Sequence, residues 1–213
     1  MARNREIEVK LPVPDIARLI GRLRSIGAER IERLYEHNAL FDTPDGQLRR
    51  LRSILRVRWE GSAKASATGE ARPKRRPGEA REGLLTFKGP IGRSNRPSKY
   101  KEREEIEFRL RSAARFAAML DGIGLRRWFQ YEKYRTKYRV GREARLHIDL
   151  DETPIGVFLE LEGSRRAIDR AAKALGYSSR DYITASYFEL YAAHCSQKGL
   201  KVTNMVFPKE KMR

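Results

Sequence analysis

Eight segments of this chain alternate in character with period two, and in seven of them one face carries charge. In Arg5–Lys10 the positions Ile7 and Val9 are apolar, while Glu6, Glu8 and Lys10 share the opposite side. Successive strand residues point to opposite faces, so this spacing predicts a β-strand with two carboxylates and an ammonium in a row. The other segments fall at about 33–42, 51–59, 84–88, 99–110, 130–140, 144–151 and 157–162, with the first at about 4–11. Strands this numerous, several joined without helices, predict an antiparallel sheet or a closed barrel.

A sheet with one face in water would explain any single strand. It explains the set less well, because the charges come in same-sign pairs two residues apart. Glu6 with Glu8, Glu105 with Glu107, Asp149 with Asp151, and Glu160 with Glu162 are the acidic pairs. Arg56 with Arg58 and Lys133 with Arg135 are the basic ones; Lys10 and Arg103 share faces with acidic pairs, and Lys88 shares a face with Leu84 and Thr86. Like charges at that separation repel unless a counter-ion sits between them. Divalent cations, Mg²⁺ or Mn²⁺ for hard oxygen donors, relieve the acids. Phosphate oxygens relieve the bases. Turned inward, these faces line a polar tunnel, and a polyphosphate bridged by metal ions satisfies both sets.

Four helices are predicted to cover the outside. One follows "PVPD" with Ile16, Leu19, Ile20, Leu23 and Ile26 and stops at Gly27; one runs from Ser112 to Gly124; one runs from Ser164 to Gly176. The fourth is expected from near Ser179, carrying Tyr182, Ile183, Tyr187, Leu190 and Tyr191. Residues 61–83 have no apolar period and are expected to form a flexible basic loop within one domain spanning 1–199, followed by a loosely attached basic tail at 200–213.

The net charge of +18 points to anionic partners. Nucleic acid is possible on charge alone but not favoured, since the acids interleave with the bases and residues 61–83 lack aromatic side chains for stacking. The single Cys195 excludes an internal disulfide. With no signal-peptide pattern and no apolar run near the ~20 residues of a membrane span, the expectation is a cytoplasmic protein with no membrane partner. Monomer and homodimer both fit the sequence.

The ordered set "EIEVK", "LFDTPDGQL", "LRVR", "LTFKGP", "REEIE", "EKYRTKY", "DETPIGVFLELEG" and "ASYFELY" closely resembles the CYTH, or triphosphate tunnel metalloenzyme, superfamily from Glu6 to about Tyr191. The resemblance implies an α+β protein: an eight-stranded antiparallel β-barrel tunnel with helices outside, acting on a triphosphate-containing small molecule with Mg²⁺ or Mn²⁺. It implies phosphate binding by Lys10, Arg56, Arg58, Lys88, Arg103, Lys133 and Arg135. Metal ligands would be Glu6, Glu8, Glu105, Glu107, Glu160 and Glu162, with Asp149 or Asp151. Glu6, Glu8, Lys10, Arg56, Arg58 and Lys88 would carry the catalysis. His37 and His147 are the weaker candidates for a proton-transfer role, and His194 is expected to pack.

The family's activities include triphosphate hydrolysis and class IV adenylate cyclisation. Only five residues precede the first motif, where the cyclases carry a longer segment with a His-Phe pair, so hydrolysis of inorganic or another triphosphate is the first expectation and cyclisation the second. Leu55 stands where thiamine triphosphatases place a stacking Trp, and Trp59 is expected in the core. A non-catalytic polyphosphate-binding module is the third reading.

Overall fold

A computed structural model describes residues 4–62, 82–90, 98–141 and 146–208. Within them the alternating segments become eight strands: β1 Asn4–Pro12, β2 Ala28–Asp42, β3 Ile54–Ser62, β4 Gly83–Lys88, β5 Lys101–Leu110, β6 Arg126–Val140, β7 Leu146–Thr153 and β8 Gly156–Gly163. All neighbours pair antiparallel in the closed order β1-β5-β4-β3-β2-β6-β7-β8. The closure leaves no free sheet edge. Its seam joins β1 to β8, with Lys10 opposite Glu160 and Val9 opposite Leu161.

Because the lumen faces are charged, the apolar faces turn outward and need cover, which the helices supply. Helix α1 (Ile16–Ser25) starts where Asp15 accepts the amide of Arg18 at 2.9 Å, and buries Leu19 and Leu23. Helix α4 (Arg165–Ala174) is capped by Ser164 and buries Ile168, Ala171 and Ala172. Together they cover Val9, Leu11, Ile148, Leu150, Leu159 and Leu161 of β1, β7 and β8. Helix α3 (Ala113–Gly122), capped by Ser112, covers Ala39, Val57 and Trp59 of β2 and β3. Each fully buried Leu or Ile contributes ~1.5–3 kcal/mol, so the barrel is held from outside rather than through its middle. Gly83 is required at the start of β4: a Cβ there would lie 2.2 Å from the Arg58 carbonyl and 2.6 Å from Ala113 Cβ.

Four expectations are adjusted. Strands β2 and β6 begin earlier than expected, at Ala28 and Arg126. Residues 51–53 are not strand: a short helix α2 (Gln47–Arg50) ends there, and Arg52 adopts φ +54°. The last helix, α5, begins at Tyr187 and runs to Gln197, not from near Ser179. Only a short 3₁₀ turn occupies Ser179–Asp181, because Ile183 is drawn into extended backbone pairing with Lys10. Of the expected tail, residues 200–208 are anchored rather than loose, since Met205 is fully buried and bridges β6 through backbone bonds to Gln130 and Glu132 of 3.0 and 2.9 Å, and residues 209–213 lie outside the described residues. Residues 63–81 of the expected loop lie outside the described residues. No described helix is long and apolar enough to cross a membrane.

Candidate active site in the barrel lumen

The inward faces surround a cavity of about 1190 Å³. Of the residues singled out from sequence, the structure brings Glu6, Glu8, Lys10, Arg56, Arg58, Lys88, Arg103, Glu105, Glu107, Lys133, Arg135, Asp149, Glu160 and Glu162 to its wall. Asp151 lies behind the wall and is fully buried. His147 reaches the lumen, whereas His37 points outward, edge-on to Trp59 and with Nε2 3.2 Å from Gln130 Oε1.

One side, built from β3, β2 and β6, is basic. Arg56 donates to Thr86 Oγ1 at 3.0 Å and to Tyr131 Oη at 3.4 Å. Arg58 donates through Nε to Asn38 Oδ1 at 3.1 Å and has Glu36 Oε1 3.2 Å from Nη1. Asp151 anchors the next strand: it accepts from Lys133 at 2.7 Å, from Arg135 at 2.7 and 2.6 Å, and from the Tyr187 hydroxyl at 2.6 Å. Its two oxygens are thereby engaged, and of the paired aspartates it is Asp149 that remains at the lumen surface, 2.9 Å from Arg135 Nη1. Burial, with Asp151 and Glu160 nearby, raises the Asp149 carboxyl despite Arg135. Glu160 pairs with Arg135 and, at 3.3 Å, with Lys10. The ring of Tyr187, first residue of α5, lies 5.3 Å from Lys10 Nζ and 5.0 Å from Lys133 Nζ.

The other side, built from β8, β1, β5 and β4, is acidic. Lys88 binds both oxygens of Glu6 at 2.7 and 2.6 Å and stands 3.4 Å from Glu105. One oxygen of Glu8 accepts from two ammonium groups, Lys101 at 2.8 Å and Lys10 at 3.1 Å. Burial would raise Glu8, but Lys10, Lys101 and Lys88 outweigh it and hold the carboxyl well below the usual range. Elsewhere the cations are too few. Burial, with Glu6 and Glu107 alongside, pushes Glu105 up to about 7 against Lys88 and Arg56. Burial and the charges of Glu6, Glu105 and Glu8 push Glu162 up to about 8. The Glu162 carboxylate forms no ion pair or hydrogen bond with another described residue.

Arg103 presents the opposite deficit. It is buried at the cavity wall, and its Nε and Nη1 have no hydrogen-bond partner among the described residues. The lumen therefore holds a guanidinium in want of an anion and carboxylates in want of a cation. No three described Asp, Glu, His or Cys side chains already converge as a metal site. The donors are all hard oxygens, and the crowding around Glu105 and Glu162 fits a divalent cation.

Among the groups sequence reasoning passed over, Lys101 on β5 and Tyr131 on β6 line the cavity, and Glu36 and Asn38 on β2 are buried behind its wall. Lys101 shared a face with Arg103 and Glu105, and that spacing was a usable signal. Glu36 and Asn38 had no same-sign neighbour two residues away, so the pairing criterion could not find them.

A closed antiparallel barrel whose lumen carries both signs of charge defines a class of tunnel-like β-barrel proteins. The family model for the CYTH domain matches residues 4–187, and the chain belongs to that family. A Methanocaldococcus jannaschii protein provisionally named an adenylate cyclase is 25% identical over 195 residues, which is 87% of this chain and 97% of that protein. The fold is shared with a Vibrio parahaemolyticus structure, also provisionally named an adenylate cyclase, at TM-score 0.70 and 20% identity, covering 90% of this chain and 99% of that one. It is shared as well with the Hippeastrum protein HpAC1, described as showing a dominant triphosphatase activity, at TM-score 0.60 and 17% identity, covering 92% and 97%.

Proposed function

We propose that the protein is a metal-dependent triphosphatase acting on inorganic triphosphate or another triphosphate-containing small molecule. The observation that carries the reading is the pair of opposite deficits in one cavity, unpaired Arg103 and undercompensated Glu105 and Glu162. A ligand that is itself a metal–polyphosphate salt answers both. The activity described for HpAC1 supports hydrolysis, and the name of the M. jannaschii relative supports cyclisation of ATP as the second reading.

Lys10, Arg56, Arg58, Lys88, Arg103, Lys133 and Arg135 bind the phosphate oxygens and straighten the chain across the lumen. Glu6, Glu8, Glu105, Glu107, Glu160, Glu162 and Asp149 would hold Mg²⁺ or Mn²⁺, which supplies charge neutralisation and an acidified water when bound. Hydrolysis joins the water oxygen to the terminal phosphorus while the bridging oxygen departs with pyrophosphate. The basic side stabilises the charge that gathers on that departing group, so catalysis is mostly positioning and electrostatics.

The test is incubation with Mg²⁺ or Mn²⁺ and, separately, tripolyphosphate, ATP and thiamine triphosphate. Orthophosphate release from tripolyphosphate is expected. Cyclic AMP and pyrophosphate from ATP would replace hydrolysis with the second reading, and tight binding without turnover of any substrate would make the protein a binding module.

A further inference from the structure

Glu36 occupies the middle of β2, the strand between the two that carry the basic pairs, and it is fully buried. Its Oε1 lies 3.2 Å from Arg58 Nη1 and 3.8 Å from Arg135 Nε, and its Oε2 lies 3.5 Å from Lys133 Nζ. Neither oxygen accepts a hydrogen bond. Arg58, Lys133 and Arg135 all line the cavity, while Glu36 does not, so the carboxylate sits behind the three cations as a ligand would meet them.

This arrangement differs from that of Asp151, which holds Lys133 and Arg135 by hydrogen bonds of 2.6–2.7 Å. Asp151 fixes direction. Glu36 touches by charge alone, and among the described acids it is the one within 4 Å of cations of both basic strands. Arg58 on β3 and the β6 pair would otherwise repel one another across β2. A negative charge behind them also weakens the field they project into the lumen. At an effective dielectric of ~20 and a distance of ~7 Å, one unit charge changes affinity more than tenfold for each unit of ligand charge.

We propose that Glu36 is a positioning residue that sets the grip of the basic side on polyphosphate, holding Arg58, Lys133 and Arg135 in place while reducing their pull so that product can leave. The inference rests on the phosphate-binding reading above.

Glu36→Gln removes the charge and keeps the shape. Titrated calorimetrically without metal, tripolyphosphate and pyrophosphate are expected to bind this variant at least tenfold tighter than the parent. In metal-supported turnover KM and kcat should fall together, because product leaves more slowly. A residue that only supported the fold would raise KM or change neither. Unchanged or weaker polyphosphate binding by folded Glu36→Gln overturns the proposal. If the parent binds no polyphosphate, the phosphate reading itself fails and takes this inference with it. If Glu36→Gln alone does not fold, the same change is made beside Arg58→Gln, which removes one cation together with the anion. That double variant is expected to fold and to bind tripolyphosphate at least threefold tighter than Arg58→Gln alone. Failure on either count overturns the proposal.

Discussion

The two sides of the lumen solve the problem of buried charge differently. On the basic side every cation has a partner within the chain: Arg58 and Lys133 lean on Glu36, Arg135 on Asp151, and Arg56 on Thr86 and Tyr131. On the acidic side Glu6, Glu8, Glu105, Glu107, Glu160 and Glu162 outnumber Lys10, Lys88 and Lys101, and Glu105 and Glu162 are pushed up to about 7 and about 8. A buried pair that loses one member leaves an uncompensated charge, whereas a crowd of like charges that loses one member is relieved. The basic side is thus paired as folded, whereas the acidic side leaves Glu105 and Glu162 short of cations and Arg103 short of an anion.

The largest effect expected to probe this contrast is functional. Glu8→Gln should lower metal-supported phosphate release by roughly a thousandfold, on the scale of removing one group that acts on the transition state, with the fold intact by circular dichroism. Full activity in that variant would sink the assignment of the acidic side to metal. Next comes a change in stability. Asp151→Asn, on the basic side, should cost about 3–5 kcal/mol in urea unfolding, because Lys133 and Arg135 lose the one carboxylate among the described residues that hydrogen-bonds both of them. A loss under about 1 kcal/mol would mean that Glu36 or water replaces it and would erase the contrast. The smallest effect has the opposite sign. Glu162→Gln, the same acid-to-amide change on the acidic side, should stabilise the metal-free protein by about 1 kcal/mol at neutral pH. It should also shrink the rise in melting temperature that Mn²⁺ gives the parent, and an undiminished rise would remove Glu162 from the metal-binding set.

Much of this architecture was legible because the barrel inverts the usual pattern. Alternation located all eight strands, and same-sign pairing located charged residues on six of the strands that line the lumen, since like charges two apart on one strand advertise an absent counter-ion. What the criterion missed had partners on other strands. Glu36 is paired to β3 and β6, and no spacing within β2 encodes that. The choice between Asp149 and Asp151 was likewise open locally; what distinguishes the two in the fold is that Asp151 is engaged by Lys133, Arg135 and, from 36 residues further along, Tyr187, while Asp149 stays at the lumen surface. The start of α5 was misplaced for a related reason: Ile183 fits a helical stripe, but the backbone of Lys10 competes for it at 3.0 and 2.9 Å and wins.

The seam between β1 and β8 gives the lumen an all-or-nothing character in time. Lys10 and Glu160 face each other across it, about 150 residues apart along the chain, and contacts of such separation form late and slowly. Until that seam closes, Glu6 and Glu8 have no opposing Glu162, and Arg135 lacks Glu160. No early fragment of the chain can then carry a working share of the cavity, so the appearance of polyphosphate binding during refolding would report the moment at which the barrel shuts.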